Sequence, residues 1–127
     1  MPEEHLYEYA VIRFVPKIER KEFINVGIIL FSKRTDFLKA RYWVNENKLK
    51  AFSSDLDFDL LYAHLEVFDI ICSSKKEGGT IALLDTAERF RWLTAVRSTS
   101  IQTSRPHPGF SKDLDQTFEA LFKELVL

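Results

Sequence analysis

Residues 22–31 read EFINVGIILF, a run in which apolar residues fall on both sides of an extended chain. A strand of this kind is normally covered on both faces, which predicts a central strand of a sheet. Asn25 and Gly27 interrupt the run, and strict alternation places both on the same side. That side also carries three apolar residues: Phe23, Ile29 and Phe31. A glycine inside a strand predicts a bulge or a close approach of another backbone.

Two further strands are predicted on either side of this run in the sequence. Residues 7–15 are rich in aromatic and β-branched residues and stop at Pro16, which cannot donate to a sheet. Residues 37–44 alternate between apolar and polar positions. Because the connections between these strands are short, we expect an antiparallel meander.

Periodic apolar residues predict two longer helices. One follows a cap within residues 53–55 and runs to about residue 73, and the other spans residues 111–126 with Ser111 as its cap. A short helix is predicted over residues 87–95, capped by Asp85 or Thr86, and residues 45–52 can hold one helical turn.

The stretches between these helices are less regular. One interpretation of residues 81–84 is a short strand, and residues 97–103 are β-prone until the Pro-His-Pro-Gly sequence at 106–109 ends them. The predicted fold class is α+β, with a three- to four-stranded, mainly antiparallel sheet packed by two longer helices and one short helix.

Length and charge restrict the class of protein. The 127 residues suit one domain, 1–127, with an ordered core from about residue 6 to residue 126. The net charge of −1 gives no sign of a polyanion partner, so nucleic-acid binding is a secondary alternative. A single cysteine excludes a disulfide within the chain, and no apolar run is long enough to span a bilayer. The N-terminus lacks a signal-peptide pattern, and we expect a cytoplasmic protein without membrane association.

The sequence contains no strong catalytic motif. It has no phosphate-binding loop with its lysine, no Cys-x-x-Cys pair, no His-Glu-x-x-His and no Gly-x-Ser-x-Gly. The three histidines, His5, His64 and His107, are far apart in the chain, so we expect neither a metal nor a cofactor. Cys72 lies in an apolar run, which indicates a buried thiol rather than a nucleophile.

The first group of candidate binding residues, the Arg13 cluster, comprises Arg13, Arg20, Glu22 and Asn25. Arg13 interrupts an apolar strand face, and an unpaired buried charge is unfavourable, so we expect Glu22 to pair with it across the hairpin. One interpretation is an ion pair that fixes the strand register. The alternative is an arginine that Glu22 holds in place to bind an anion.

The second group, the Arg97 cluster, comprises Arg97, Ser98, Thr99, Ser100, His107 and Gly109. Hydroxyl groups beside an arginine suit a phosphate or another oxyanion. Ser98 or Ser100 with His107 can in principle act as nucleophile and base, but no orienting acid is identified. The simpler interpretation is that the hydroxyls satisfy backbone groups in an irregular stretch.

Several segments together resemble a known family. Residues 7–16, YEYAVIRFVP, and 19–31, ERKEFINVGIILF, resemble the opening of a bacterial family catalogued as domain of unknown function number 3037. RFRWLTA at 89–95 and RST at 97–99, with His107 and Gly109, match its later part. The resemblance covers nearly the whole chain. It implies a HipA-like serine/threonine kinase as partner, because family members are encoded beside such kinases, and it transfers no catalytic residue.

The leading functional hypothesis is a non-enzymatic binding or regulatory module, an accessory partner of a HipA-like kinase. The first alternative is a small enzyme or ligand-binding domain that uses an arginine-rich pocket for an anionic, phosphorylated small molecule. The residues of that pocket would be Arg13, Arg20, Glu22, Asn25, Arg97, Ser98 and His107. The second alternative is nucleic-acid binding. The sequence leaves the oligomeric state and the catalytic residues unknown.

Overall fold

A computed structural model describes residues 3–95 and 99–127 of the chain. Five strands in these ranges form one antiparallel sheet, which confirms the α+β class. They are β1 (His5–Phe14), β2 (Ile24–Ser32), β3 (Phe37–Tyr42), β4 (Ile101–Thr103) and β5 (His107–Ser111). The order is β3-β2-β1-β4, and β5 pairs with the first half of β1 while β4 pairs with the second half.

Four α-helices accompany the sheet in the described ranges. They are α1 (Glu46–Phe52), α2 (Phe58–Cys72), α3 (Thr86–Leu93) and α4 (Leu114–Leu125). Each starts after a side chain that accepts a hydrogen bond from the first turn, and these caps are Asn45, Asp57, Asp85 and Asp113. The cap predicted within 53–55 was therefore wrong, as was Ser111, which instead ends β5. None of these helices combines the length and the apolar character that crossing a membrane requires.

The helices cover both faces of β2, as the apolar run predicted. α2 and α3 pack on one face, where Phe31 and Phe90 stack with ring centroids 5.0 Å apart. α4 packs on the other face, where Phe118 and Phe122 contact Ile28 and Leu30. Hydrogen bonds from Arg41 Nη1 to both carboxylate oxygens of Glu119, 2.9 and 2.8 Å long, join β3 to α4.

The bulge predicted at Gly27 is present in β2. Ile12 lies opposite Gly27 and the next residue, Arg13, lies opposite Asn25, so Val26 is the extra residue. The extra residue reverses the alternation within the strand. Asn25 therefore faces α4, which contradicts the prediction that it shares a side with Ile29 and Phe31.

The fifth strand was missed because its sequence, HPGFS, looks like a stop signal. Val11 exchanges hydrogen bonds with Ser104, so alternate β1 residues direct their backbone groups toward this edge. Pro108 and Phe110 of β5 lie opposite the other β1 residues, so their backbone groups point away from β1. Pro108 therefore loses no hydrogen bond to β1. Gly109 lies under the side chain of Tyr7, where an added Cβ would come within 2.5 Å of the ring carbon Cζ and of the hydroxyl oxygen.

Residues 81–84 were also predicted wrongly. Ile81–Leu83 forms a 3-10 helix rather than a short strand. Its Ala82 is buried beside α2, while Leu83 is exposed to solvent. An apolar run of four residues cannot by itself separate a strand from a helical turn.

Candidate functional site

An apolar groove lies at one end of the sheet. Leu6 and Phe110 lie directly opposite each other on β1 and β5, and they remain 55% and 67% exposed. Pro108 extends the surface along β5, and buried Phe31 forms part of the floor. We call this feature the Leu6–Phe110 groove, and its volume is about 770 Å³.

Five charged side chains line the groove, and they are Glu4, Glu8, Lys33, Arg34 and Arg91. Arg91 on α3 binds the Glu8 carboxylate with both Nη atoms, at 3.2 and 2.8 Å, which neutralises that arginine. The Nη2 atom of Arg34 lies 3.6 Å from the Oε2 atom of Glu3, and both of these side chains are largely exposed. Within residues 3–95 and 99–127 the Lys33 ammonium has no acidic partner within 4 Å. Lys33 is thus an uncommitted cation beside an apolar floor.

The groove is bounded on one side by the outer edge of β5. The backbone groups of Pro108 and Phe110 that face away from β1 have no partner strand in the described part of the chain. The Phe110 N–H and the carbonyls of both residues are therefore available to an added segment. Sequence reasoning missed this surface because β5 was not predicted, although the aromatic Phe110 after Gly109 was the available signal.

Arg13 lies on the opposite face of the sheet, across from Asn25, whose side chain bonds to the last turn of α4. Its guanidinium carbon lies 4.0 Å from the centroid of the Phe23 ring. Its neighbours across the strands are Asn25 on β2 and Gln102 on β4. Burial lowers the pKa of the Arg13 guanidinium, which stays charged because its ordinary pKa is far above neutral.

The predicted ion pair between Arg13 and Glu22 does not form. Glu22 pairs with Arg20 instead, and both side chains of that pair are well exposed. The reason is the 3-10 turn at Ile18–Arg20, which brings Arg20 to the same loop as Glu22. An exposed pair of this kind contributes little to stability and leaves Arg13 without its expected partner.

The structure separates His107 from Arg13. His107 lies opposite Tyr9, with their ring centroids 5.3 Å apart. Tyr9 and Arg13 are four residues apart on β1, which is about 13 Å along the strand. Arg97 and Ser98 lie outside the described residues, so the predicted convergence of the two arginine clusters stays a prediction for them.

Two other candidates have simple structural accounts. Burial raises the pKa of the Cys72 thiol to about 12, so the thiolate is scarce at neutral pH. Within residues 3–95 and 99–127, no three His, Cys, Asp or Glu side chains converge in a way that could hold a metal ion.

Comparison with known families agrees with the resemblance seen in the sequence. The model of the family described as "Protein of unknown function (DUF3037)" matches residues 9–126. The chain belongs to this family. The DUF3037 match includes Arg13, Asn25 and all of β5, while Leu6 precedes it. Searches of the curated proteins and of the solved structures found no match.

Proposed function

We propose that this DUF3037 protein is a non-enzymatic binding module that holds a segment of a HipA-like kinase in the Leu6–Phe110 groove. The observation that carries the proposal is the exposed pair Leu6 and Phe110 on the sheet. Contiguous exposed apolar side chains with a polar rim mark interaction surfaces in soluble proteins. The partner is the one that the family resemblance implies.

The groove suits a protein segment because it offers two kinds of contact. Leu6, Pro108 and Phe110 provide apolar area, and aromatic side chains of this type are frequent anchors in protein interfaces. The outer edge of β5 provides backbone groups for an added strand. We therefore expect an extended kinase segment with an apolar residue over Phe110.

The ammonium of Lys33, on the part of the rim away from the Arg91–Glu8 pair, favours an acidic residue in that segment. Arg91 is neutralised by Glu8, whereas Lys33 has no acidic partner in the ranges that the structure describes. A carboxylate near the apolar anchor of the kinase segment would therefore be complementary to Lys33. Such complementarity contributes to specificity and to the association rate more than to affinity.

Calorimetric titration of the purified protein with a purified HipA-like kinase, both from one genome, tests the proposal. We expect saturable binding that weakens roughly thirtyfold or more on Phe110→Asp or Leu6→Asp. Each substitution replaces an apolar side chain that the complex would bury with an unpaired charge. Leu60→Asp is the matched control. Leu60 is 54% exposed on the first turn of α2, outside the groove, and its replacement should leave the affinity unchanged. Absence of binding, or an equal loss with Leu60→Asp, would reject the proposal.

A further inference from the structure

Arg13 is an arginine whose charge no described side chain neutralises. In residues 3–95 and 99–127, no carboxylate lies within 4 Å of its guanidinium. Its Nε atom is buried and has no hydrogen-bond acceptor. Arg13 as a whole is only partly buried, but a buried donor such as its Nε–H is normally paired, since without an acceptor it loses its hydrogen bonds to water.

Asn25, which lies opposite Arg13 on β2, has an unpaired hydrogen-bond acceptor. Its Nδ2 atom donates to the Leu125 carbonyl at 3.1 Å, which ties β2 to the last turn of α4. Its Oδ1 atom is buried and has no donor. An unpaired donor on Arg13 therefore faces the side of the sheet that holds an unpaired acceptor.

Packing alone gives no reason for an arginine here. An apolar side chain at position 13 would cover the ring of Phe23 without leaving a buried donor. The ring of Phe23 instead supports the flat guanidinium on one side and restricts its rotation. An arginine held in this way is suited to bidentate binding of a planar or tetrahedral oxyanion.

We propose that Arg13 binds an oxyanion, the phosphate or carboxylate group of a small molecule, with Phe23 and Asn25 as its positioning residues. In the bound state, Nε donates to Asn25 Oδ1 and the two Nη groups bind the anion. This site does not depend on the Leu6–Phe110 groove. It lies on the other face of the sheet and seven residues along β1 from Leu6, a distance of about 23 Å.

The test is a titration of the ¹⁵N-labelled full chain with sodium phosphate and, separately, with sodium acetate, against sodium chloride at equal ionic strength. We expect saturable shifts of the Arg13 Nε–H and Asn25 Nδ2–H signals with at least one of the two oxyanions. Comparing phosphate with acetate distinguishes a phosphate site from a carboxylate site. Arg13→Lys keeps the charge but removes the two parallel Nη donors of the guanidinium, and it should weaken binding roughly tenfold.

Arg13→Met separates a binding role from a structural one. It should abolish the saturable shift of the Asn25 Nδ2–H signal while leaving the melting temperature equal to or above that of the unmodified protein, because it removes an unpaired buried donor. The exposed Arg105→Met is the matched control and should change neither property. If neither anion gives a saturable shift, or if the shifts survive Arg13→Met, the proposal is overturned. A lower melting temperature with unchanged anion binding would also reject it.

Discussion

Replacing Phe118 with alanine is expected to lower the free energy of unfolding by about 4 kcal/mol. Phe118 is fully buried in the layer between α4 and β2, where it contacts the apolar side chains of the strand. The ammonium of Lys39 also lies 4.6 Å from the centroid of its ring. Truncation to alanine removes a large apolar area and leaves a cavity. We expect α4 not to close it, because the helix follows β5 directly at its start and Asn25 bonds to the Leu125 carbonyl at its end. Urea denaturation of the two proteins measures the difference directly.

The same substitution at Phe110 provides the matched control. Phe110 is largely exposed at the rim of the groove, so Phe110→Ala should change the free energy of unfolding by less than about 0.5 kcal/mol. Comparable losses at positions 118 and 110 would show that Phe110 is packed within the fold. That result would remove the apolar anchor from the proposed binding surface.

Replacing Gly27 with alanine is expected to destabilise the protein by about 3 kcal/mol. An added Cβ would come within 2.6 Å of the carbonyl oxygen of Arg41 and within 3.1 Å of the Tyr42 Cα. Both atoms belong to the backbone of β3, which pairs with β2 at this position. Relief therefore requires β3 to move away from β2, because no flexible side chain can move aside.

The exposed substitution Ala63→Ser on α2 is the control for Gly27→Ala, and it should stay within about 0.5 kcal/mol of the unmodified protein. Thermal and urea denaturation measure both variants. A Gly27→Ala protein with unchanged stability would contradict the close approach of β3 to the bulge.

The sequence predicted the central strand, the bulge and the α+β class because these features depend on local patterns. The apolar run at 22–31 required cover on both faces, and α2, α3 and α4 supply it. The side that Asn25 faces could not be predicted. It depends on whether Val26 or another residue is the extra one, because the extra residue reverses the sides that the residues before it face relative to those after it.

For the candidate surfaces, too, the sequence predicted what neighbouring residues determine and missed what contacts between distant segments determine. Arg13 was identified because an arginine on an apolar strand is conspicuous, but its partner was predicted wrongly because the loop conformation determines where Glu22 points. The Leu6–Phe110 groove required the pairing of β1 with β5, which lie about a hundred residues apart in the chain. A strand containing Pro108 and Gly109 gives no local pattern that predicts such pairing.

Hydrogen exchange at the Phe110 amide, measured by NMR with and without the HipA-like kinase, tests the proposed binding function most directly. In the free protein this N–H faces outward from β5, so it should exchange faster than the Gly109 amide, which bonds to β1. Binding of a kinase segment along β5 predicts that exchange at Phe110 slows at least tenfold, an effect that corresponds to formation of one protected hydrogen bond. The amides of the first turn of α2 should be unaffected. Unchanged exchange at Phe110 in a saturated complex, with protection elsewhere, would contradict the proposal that β5 and the Leu6–Phe110 groove hold the partner.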